Sequence, residues 1–202
     1  IYNGLEVYSV SMLHKFKTCQ QYYDYRYNDL LTHEGKSKAM SFGSAMHDGI
    51  AEWYKKKDLG IPCAAIAKKG EELGLVQEPS EDSKHSIERG REVMIKYVDF
   101  YAARGDVNVT MVEVPFIVEV QMPVGEPFLF AGTIDGVAEQ TIEGSNQLYI
   151  LENKTASRLD SNYIASYRPN DQITAYAWAL GKYMKTPLYG AVINIIHVLT
   201  KE

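Results

Sequence analysis

Two runs decide the fold: Phe128-Leu129-Phe130-Ala131-Gly132-Thr133-Ile134-Asp135-Gly136-Val137-Ala138-Glu139 and, after a polar interval, Gln147-Leu148-Tyr149-Ile150-Leu151-Glu152-Asn153-Lys154. Both are rich in β-branched and aromatic residues, and Thr141-Ile142-Glu143-Gly144-Ser145-Asn146 between them reads as a turn, so the pair predicts an antiparallel hairpin with strands at 128–139 and 147–153. With the turn centred on Glu143-Gly144, Asp135 falls opposite Glu152. Side chains directly opposite have Cβ atoms ~4.5–5.5 Å apart, and like charges there are destabilising. Two facing carboxylates therefore ask for a cation between them or for one to stay protonated. Lys154 shares the face of Glu152, because side chains alternate along a strand, while Asn153 points away and leaves its backbone carbonyl available as a ligand. Hard oxygen ligands suit Mg²⁺ or Mn²⁺ better than zinc. An ammonium beside a metal-bound water orients it or stabilises charge developing on a phosphate. By spacing alone, a surface hairpin with an ordinary Asp, Glu and Lys fits equally well; the apolar neighbours of both acids favour a buried site.

Outward from the hairpin, Val109 to Gln121 alternates as a third strand, Asp171 to Met184 has helical periodicity, and Leu188 to Leu199 reads as a buried strand. The first half is helical. A helix starts after Ser9 or Ser11, whose hydroxyls can cap it, and runs through Leu13, Phe16, Gln20 and Tyr23. Further helices are expected over Phe42 to about Lys57, Cys63 to Leu73, and Ser83 to Arg104, the last ended by Gly105. The segment Gln21-Tyr22-Tyr23-Asp24-Tyr25-Arg26-Tyr27 holds more tyrosines than one helix face can bury, which predicts that some face a cleft or partner. Helices, then three strands, a helix and a strand indicate an α/β or α+β core: a mixed sheet flanked by helices, with a helical N-terminal region. A single domain over 1–202 is expected, with 1–105 mainly helical and 106–202 the sheet core.

With 46% apolar and 23% charged residues, the chain has the composition of a globular protein and not of a disordered one. No apolar run approaches the ~18 residues of a membrane span, and the first residues lack the order of a secretory signal, so a soluble, cytoplasmic protein is expected. Cys19 and Cys63 are too few for a disulfide framework or a four-thiolate cluster. A net charge of −5 argues against a broad phosphate-binding surface. The short basic clusters at Lys55-Lys56-Lys57, Lys68-Lys69 and Arg89/Arg91 read as solvated helix faces.

Four motifs in order carry a family resemblance. Gly132-Thr133-Ile134-Asp135 followed by Ile150-Leu151-Glu152-Asn153-Lys154-Thr155 resembles the GxxD…(D/E)xK signature of PD-(D/E)xK nucleases, in particular the branch of the RecB nuclease domain and the CRISPR adaptation nucleases. Gly43-Ser44-Ala45-Met46-His47 is similar to that branch's GxxxH helix, and Gln172-Ile173-Thr174-Ala175-Tyr176 to its QxxxY helix. The opening Ser9-x-Ser11-x-Leu13…Phe16…Cys19…Tyr stretch is similar to the family's N-terminal helix, so the resemblance covers nearly the whole chain. It implies a restriction-endonuclease-like core, with Mg²⁺ or Mn²⁺ ligated by His47, Asp135, Glu152 and the Asn153 carbonyl, and Lys154 assisting the attacking water. Asp135, Glu152 and Lys154 are the expected catalytic residues. Gln172 and Tyr176, four apart on one helix face, are expected to support the site or a DNA phosphate; an amphipathic helix with a buried tyrosine explains Tyr176 equally well. His14, His33, His85 and His197 lie in no such motif.

The sequence departs from that branch at two places. Glu152 stands where Asp is commoner, which the superfamily signature permits. Cys19 matches the first of four cluster thiolates but the other three are missing, so an iron–sulfur cluster is not expected and Cys19 is read as a small buried residue. The resemblance implies a metal-dependent DNA nuclease, an exonuclease on single strands or DNA ends in recombination, repair or phage DNA metabolism, with a helicase or recombination protein as a conceivable partner. The tyrosine-rich first helix, through Tyr22 and Tyr25, would stack unpaired bases. Two alternatives remain: a catalytically silent DNA- or protein-binding module on a nuclease fold, and an RNA-directed nuclease.

Overall fold

A computed structural model describes residues 2–31, 35, 37–78, 84–104 and 107–199. The elements are β1 (Val7–Tyr8), α1 (Val10–Thr18), α2 (Gln20–Tyr23) running into a π-helical turn (Asp24–Asn28), α3 (Lys38–Lys56), α4 (Gly60–Glu72), α5 (Ile87–Arg104), β2 (Asn108–Val120), β3 (Phe128–Ile142), β4 (Ser145–Ala156), α6 (Ser161–Ala165), α7 (Asp171–Met184) and β5 (Gly190–His197).

The predicted hairpin is β3–β4. Its turn needs only Glu143 and Gly144, with φ of 51° and 78°. Positive φ at both central residues is the two-residue turn whose twist matches the flanking strands, so the strands extend to Ile142 and from Ser145 instead of leaving a six-residue loop. The ladder runs from Ile142↔Ser145 to Gly136↔Leu151, which is the predicted register. β2 pairs antiparallel along the other side of β3, from Val120↔Phe128 to Asn108↔Glu139, with a register shift between Val109 and Met111. β1 adds parallel to β3 at Leu129 and Phe130, and β5 adds parallel to β4. A parallel neighbour requires a crossover, and α6 and α7 supply it.

Two apolar cores hold helices to the sheet. One joins Ala179 and Leu180 of α7 to Ile134, Val137 and Ile150; the other packs Phe42, Met46 and Ile50 of α3 with Ile66, Ile87 and Met94 and with Ile196 of β5. Each such side chain, fully buried, contributes about 1.5–3 kcal/mol. Because side chains alternate along β4, Glu152 meets Gln172 of α7 while Asn153 turns toward β5 and α5.

Several boundaries differ from expectation for identifiable reasons. The first helix breaks at Cys19, whose extended backbone (φ −162°, ψ 111°) separates α1 from α2. None of α1, α2 or the π-turn holds a buried residue, so Cys19 is exposed, contrary to the expected small core residue. Ser9, not Ser11, caps α1, accepting from the Met12 amide at 3.4 Å. Ser37 caps α3 by accepting from Met40, and so starts that helix four residues early. α4 begins at Gly60 despite Pro62, since a first-turn residue has no intrahelical N–H bond to lose. The expected boundary residues Ser83 and Gly105, and also His33, lie outside the described residues. β1 and α6 were not foreseen, being too short to show a period. The basic clusters sit beside acids of their own helices, as with Lys55–Glu52 and Arg91–Glu88, except that Arg89 is 9% exposed and not a solvated side chain.

Gly136 lies at the last paired position of the hairpin, where an added Cβ would sit 2.9 Å from the Met111 carbonyl oxygen. Backbone cannot swing aside as a side chain can. Gly136→Ala should lower the unfolding free energy by about 1–3 kcal/mol in a denaturant titration, with the main loss in the β2–β3–β4 sheet.

Candidate active site

The β3–β4 ladder stops one residue short of Asp135 and Glu152. The reason lies in the side chain of Asp135: its Oδ2 accepts the Asn153 amide at 2.7 Å, taking the donor that would otherwise join the strands. The strands part here, and the two acids stand at the fork. Asp135 Oδ1 is 3.2 Å from Nδ1 of His47, which α3 delivers from the last residue of Gly43-Ser44-Ala45-Met46-His47. Asp135 and His47 keep 20% and 31% of their side-chain surface, so the mouth of the site is open to solvent.

Glu152 is 2% exposed. Its Oε1 accepts from Lys154 Nζ at 2.5 Å and from Gln172 Nε2 at 2.8 Å, and Lys154 also donates to Gln172 Oε1 at 3.3 Å. The other oxygen, Oε2, is buried with no partner. An unmet acceptor on a buried carboxylate costs on the order of 1–3 kcal/mol or more, because protein has replaced the water that would solvate it. Its charge is also resisted: burial, then the charge of Asp135, raises the Glu152 pKa above its ordinary value, with Lys154 and His47 opposing. For His47 burial is the largest single effect and lowers the pKa, but the hydrogen bond and charge of Asp135 outweigh it, and the imidazole titrates above its usual value. An unmet oxygen on a buried carboxylate that feels the charge of Asp135 fits a divalent cation. Glu152, Asp135, the Asn153 carbonyl and His47 are the groups that would hold it. Among the described residues no three His, Cys, Asp or Glu side chains form a ready-made cage. Mg²⁺ does not need one, since it binds through one or two carboxylates and keeps several waters.

The hairpin and α7 thus bring together Asp135, Glu152, Asn153, Lys154 and Gln172, and α3 adds His47. Gln172 is placed by its helix start: Asn170 caps α7, accepting from the Gln172 and Ile173 amides at 3.0 and 3.2 Å. Tyr176, one turn further on, packs its ring edge-on against Phe116 at 5.6 Å. Its phenol titrates above the usual value through burial and then through the charge of Glu152. Tyr22 and Tyr25 are exposed at 42% and 46%, Tyr22 lying under Lys15 Nζ at 4.3 Å. Among the described residues neither touches the acids, although their arm is tied to the start of α7 by Lys17 and Asp171 at 2.5 Å.

Sequence reasoning missed a polar support behind the site. Asn194 of β5 donates to Asn153 Oδ1 at 2.7 Å and to the Tyr97 hydroxyl at 3.1 Å, and accepts from Tyr101 at 2.9 Å. This buried network fixes the residue between Glu152 and Lys154. A lone Asn inside the apolar run Leu188 to Leu199 was the available signal. Tyr167 of the α6–α7 connection is also near enough for the charge of Glu152 to help burial and Tyr163 raise its pKa.

An open mixed sheet with helices on both faces and an Asp…Glu-x-Lys hairpin at its centre is the restriction-endonuclease-like α/β architecture. The family model of the PD-(D/E)XK nuclease superfamily matches residues 7–198, and the chain belongs to that superfamily. Its members are typically nucleases and generally use divalent metals such as Mg²⁺. No curated protein matches the chain.

Two outcomes follow from this geometry. Saturating Mn²⁺ should raise the melting temperature of the native chain, by an amount equivalent to about 2.7 kcal/mol at a hundred times the dissociation constant, and Asp135→Ala should abolish the rise in differential scanning fluorimetry. Asn194→Ala should cost about 1–3 kcal/mol of stability, by leaving the Asn153 side chain and two tyrosine hydroxyls short of a partner, and should weaken the Mn²⁺ effect without removing it.

Proposed function

We propose that the chain is a metal-dependent DNA nuclease of the RecB-like branch, an exonuclease acting on single strands or DNA ends. The observation that supports this most is the buried, unpartnered Glu152 Oε2 beside Asp135, with the Lys154 ammonium on the other oxygen of the same carboxylate. Asp135, Glu152, the Asn153 carbonyl and His47 would hold Mg²⁺ or Mn²⁺. Such an ion, when bound, polarises the scissile phosphate and lowers the pKa of the attacking water.

The protein groups have separate tasks. Glu152 and Gln172 hold Lys154 in place, and the Lys154 ammonium orients the attacking water and faces the charge that develops on the phosphate. Gln172 clamps both Glu152 and Lys154, so neither needs to reorganise during the reaction. Asp135 binds the Asn153 amide and aligns the backbone whose carbonyl is a ligand. Tyr22 and Tyr25, on the arm beside α7, stack unpaired bases and favour single-stranded or frayed substrate. The helical part and the sheet core act as one unit on this reading, since His47 comes from the first and the acids from the second.

The test is cleavage of end-labelled single- and double-stranded DNA with Mg²⁺, Mn²⁺ or EDTA. Asp135→Ala and Lys154→Ala should each lower the rate by at least about a hundredfold, and EDTA should abolish it. Progressive loss of nucleotides from one end would mark the exonuclease. Inactivity of the native chain on DNA and RNA with both metals would leave a silent binding module. In a separate anisotropy measurement in Ca²⁺, Tyr22→Ala/Tyr25→Ala should weaken affinity for an oligo-dT strand about tenfold or more; an unchanged affinity would remove the stacking role.

A further inference from the structure

His47 and Asn153 are carried by α3 and β4, and no backbone ladder joins a helix to a strand. Apolar packing holds α3 against its neighbours, but apolar contact is non-directional, so it keeps the elements together without fixing their offset. A chain of hydrogen bonds supplies the direction. Tyr54 of α3 lies two helical turns beyond His47 on the same face, and both line one cavity with Asp135 and Asn153. The Tyr54 hydroxyl is 2.9 Å from the hydroxyl of Tyr97 on α5. Tyr97 accepts from Nδ2 of Asn194 at 3.1 Å, and the same amide group donates to Asn153 Oδ1 at 2.7 Å. Asn194 is also the direct pair of Asn153 across the β4–β5 ladder. The Tyr97 hydroxyl therefore stands between the helix that carries His47 and the strand that carries Asn153.

Packing does not call for this hydroxyl. Tyr97 is 6% exposed, with its ring tilted against Tyr101 at 4.7 Å and edge-on to Tyr54 at 6.4 Å. A phenylalanine would make both ring contacts and leave no polar atom to satisfy. Burial, then the neighbouring Tyr54, holds the Tyr97 phenol well above its ordinary pKa, so it stays a neutral hydroxyl. Asn194 is saturated around it: its amide donates to Asn153 and Tyr97, and its oxygen accepts from Tyr101 at 2.9 Å. A buried polar network whose members are satisfied is rigid and specifies one arrangement.

We propose that Tyr97 is a positioning residue of the metal site, joining Tyr54 of α3 to Asn194 of β5 so that His47 and the Asn153 carbonyl keep the separation that a small divalent cation demands. The inference rests on the metal site proposed above and adds to it the residue that governs its choice of ion. Mg²⁺ requires near-ideal octahedral geometry with short bonds, whereas Ca²⁺ accepts longer bonds and irregular coordination. A site whose ligand-bearing elements are locked together favours the smaller ion; a site free to widen gives that preference up. Asn194 orients Asn153, and Tyr97 ties that pair to α3. Groups that act from behind the ligands in this way change metal affinity about 10–100-fold when removed.

The test is Mn²⁺ binding to the intact chain, read from the electron paramagnetic resonance signal of free Mn²⁺, with Mg²⁺ and Ca²⁺ as competitors, at a temperature well below the melting point of every variant. Tyr97→Phe removes one oxygen and keeps the ring. It should weaken Mn²⁺ and Mg²⁺ about tenfold and Ca²⁺ by clearly less, so that the preference for Mg²⁺ falls. Tyr54→Phe, at the partly buried end of the same chain of bonds, should act in the same direction, and it carries the test if Tyr97→Phe does not fold. Val98→Ala, a buried neighbour outside the network, should lower the melting temperature and leave all three affinities unchanged. An unchanged Mn²⁺ affinity in Tyr97→Phe, an equal loss for Mg²⁺ and Ca²⁺, or the same loss in Val98→Ala would overturn the proposal and leave Tyr97 as a support of the fold. A native chain that binds no Mn²⁺ would overturn the metal site and this proposal together, whereas Mn²⁺ binding without DNA cleavage would remove the nuclease reading alone.

Discussion

Asp135 and Glu152 stand on two hydrogen-bonded strands at the point where these separate, close enough for the charge of Asp135 to raise the Glu152 pKa, and much of the surrounding structure manages that conflict. Asp135 causes the separation by taking the amide of Asn153. Glu152, buried, receives one ammonium and one amide on a single oxygen and nothing on the other. Replacing either neighbour with an apolar side chain would leave a buried charge without compensation, which ordinarily costs about 3–5 kcal/mol. The cost is tolerated because the fork lies between two well-packed cores, so the strain is local while the apolar burial around it is extensive. Sites that break a local rule inside a consistent fold are where function is expected.

The same arrangement explains how an acidic chain can belong to a superfamily of nucleases. Several of its exposed basic side chains sit beside carboxylates one helical turn away, as with Lys55 and Glu52 or Arg91 and Glu88, and such exposed pairs contribute little to stability. Lys154 differs: it is held between Glu152 and Gln172 with part of its side chain open to solvent.

The hairpin was readable because two signals agreed: the Glu143-Gly144 turn set the register, and the apolar runs on either side set the faces. From that register alone Asp135 falls beside Glu152, and Lys154 falls on the same side as Glu152. α7 was equally plain, from its period and from Asn170 preceding it. Elements of two to five residues, β1 and α6, carry no period to read and exist because long neighbours hold them. The exposure of Cys19 was hidden because it follows from the α1–α2 arm holding no buried residue, a tertiary fact. Asn194 was hidden for a related reason: its role depends on a parallel crossover that places β5 beside β4, with Asn194 directly paired to Asn153. A chain reading sees neighbours in sequence, and the residues it missed act through neighbours made by topology.

The central claim is that the unmet Glu152 oxygen and Asp135 share a divalent cation. Anomalous diffraction from crystals of the intact chain soaked in Mn²⁺ tests it most directly. The account predicts one strong peak in the fork of β3 and β4, within about 2.0–2.4 Å of Glu152 Oε2, of an Asp135 oxygen and of the Asn153 carbonyl. A fork without a peak at saturating Mn²⁺, with Glu152 Oε2 hydrogen-bonded to a protein donor instead, would contradict it.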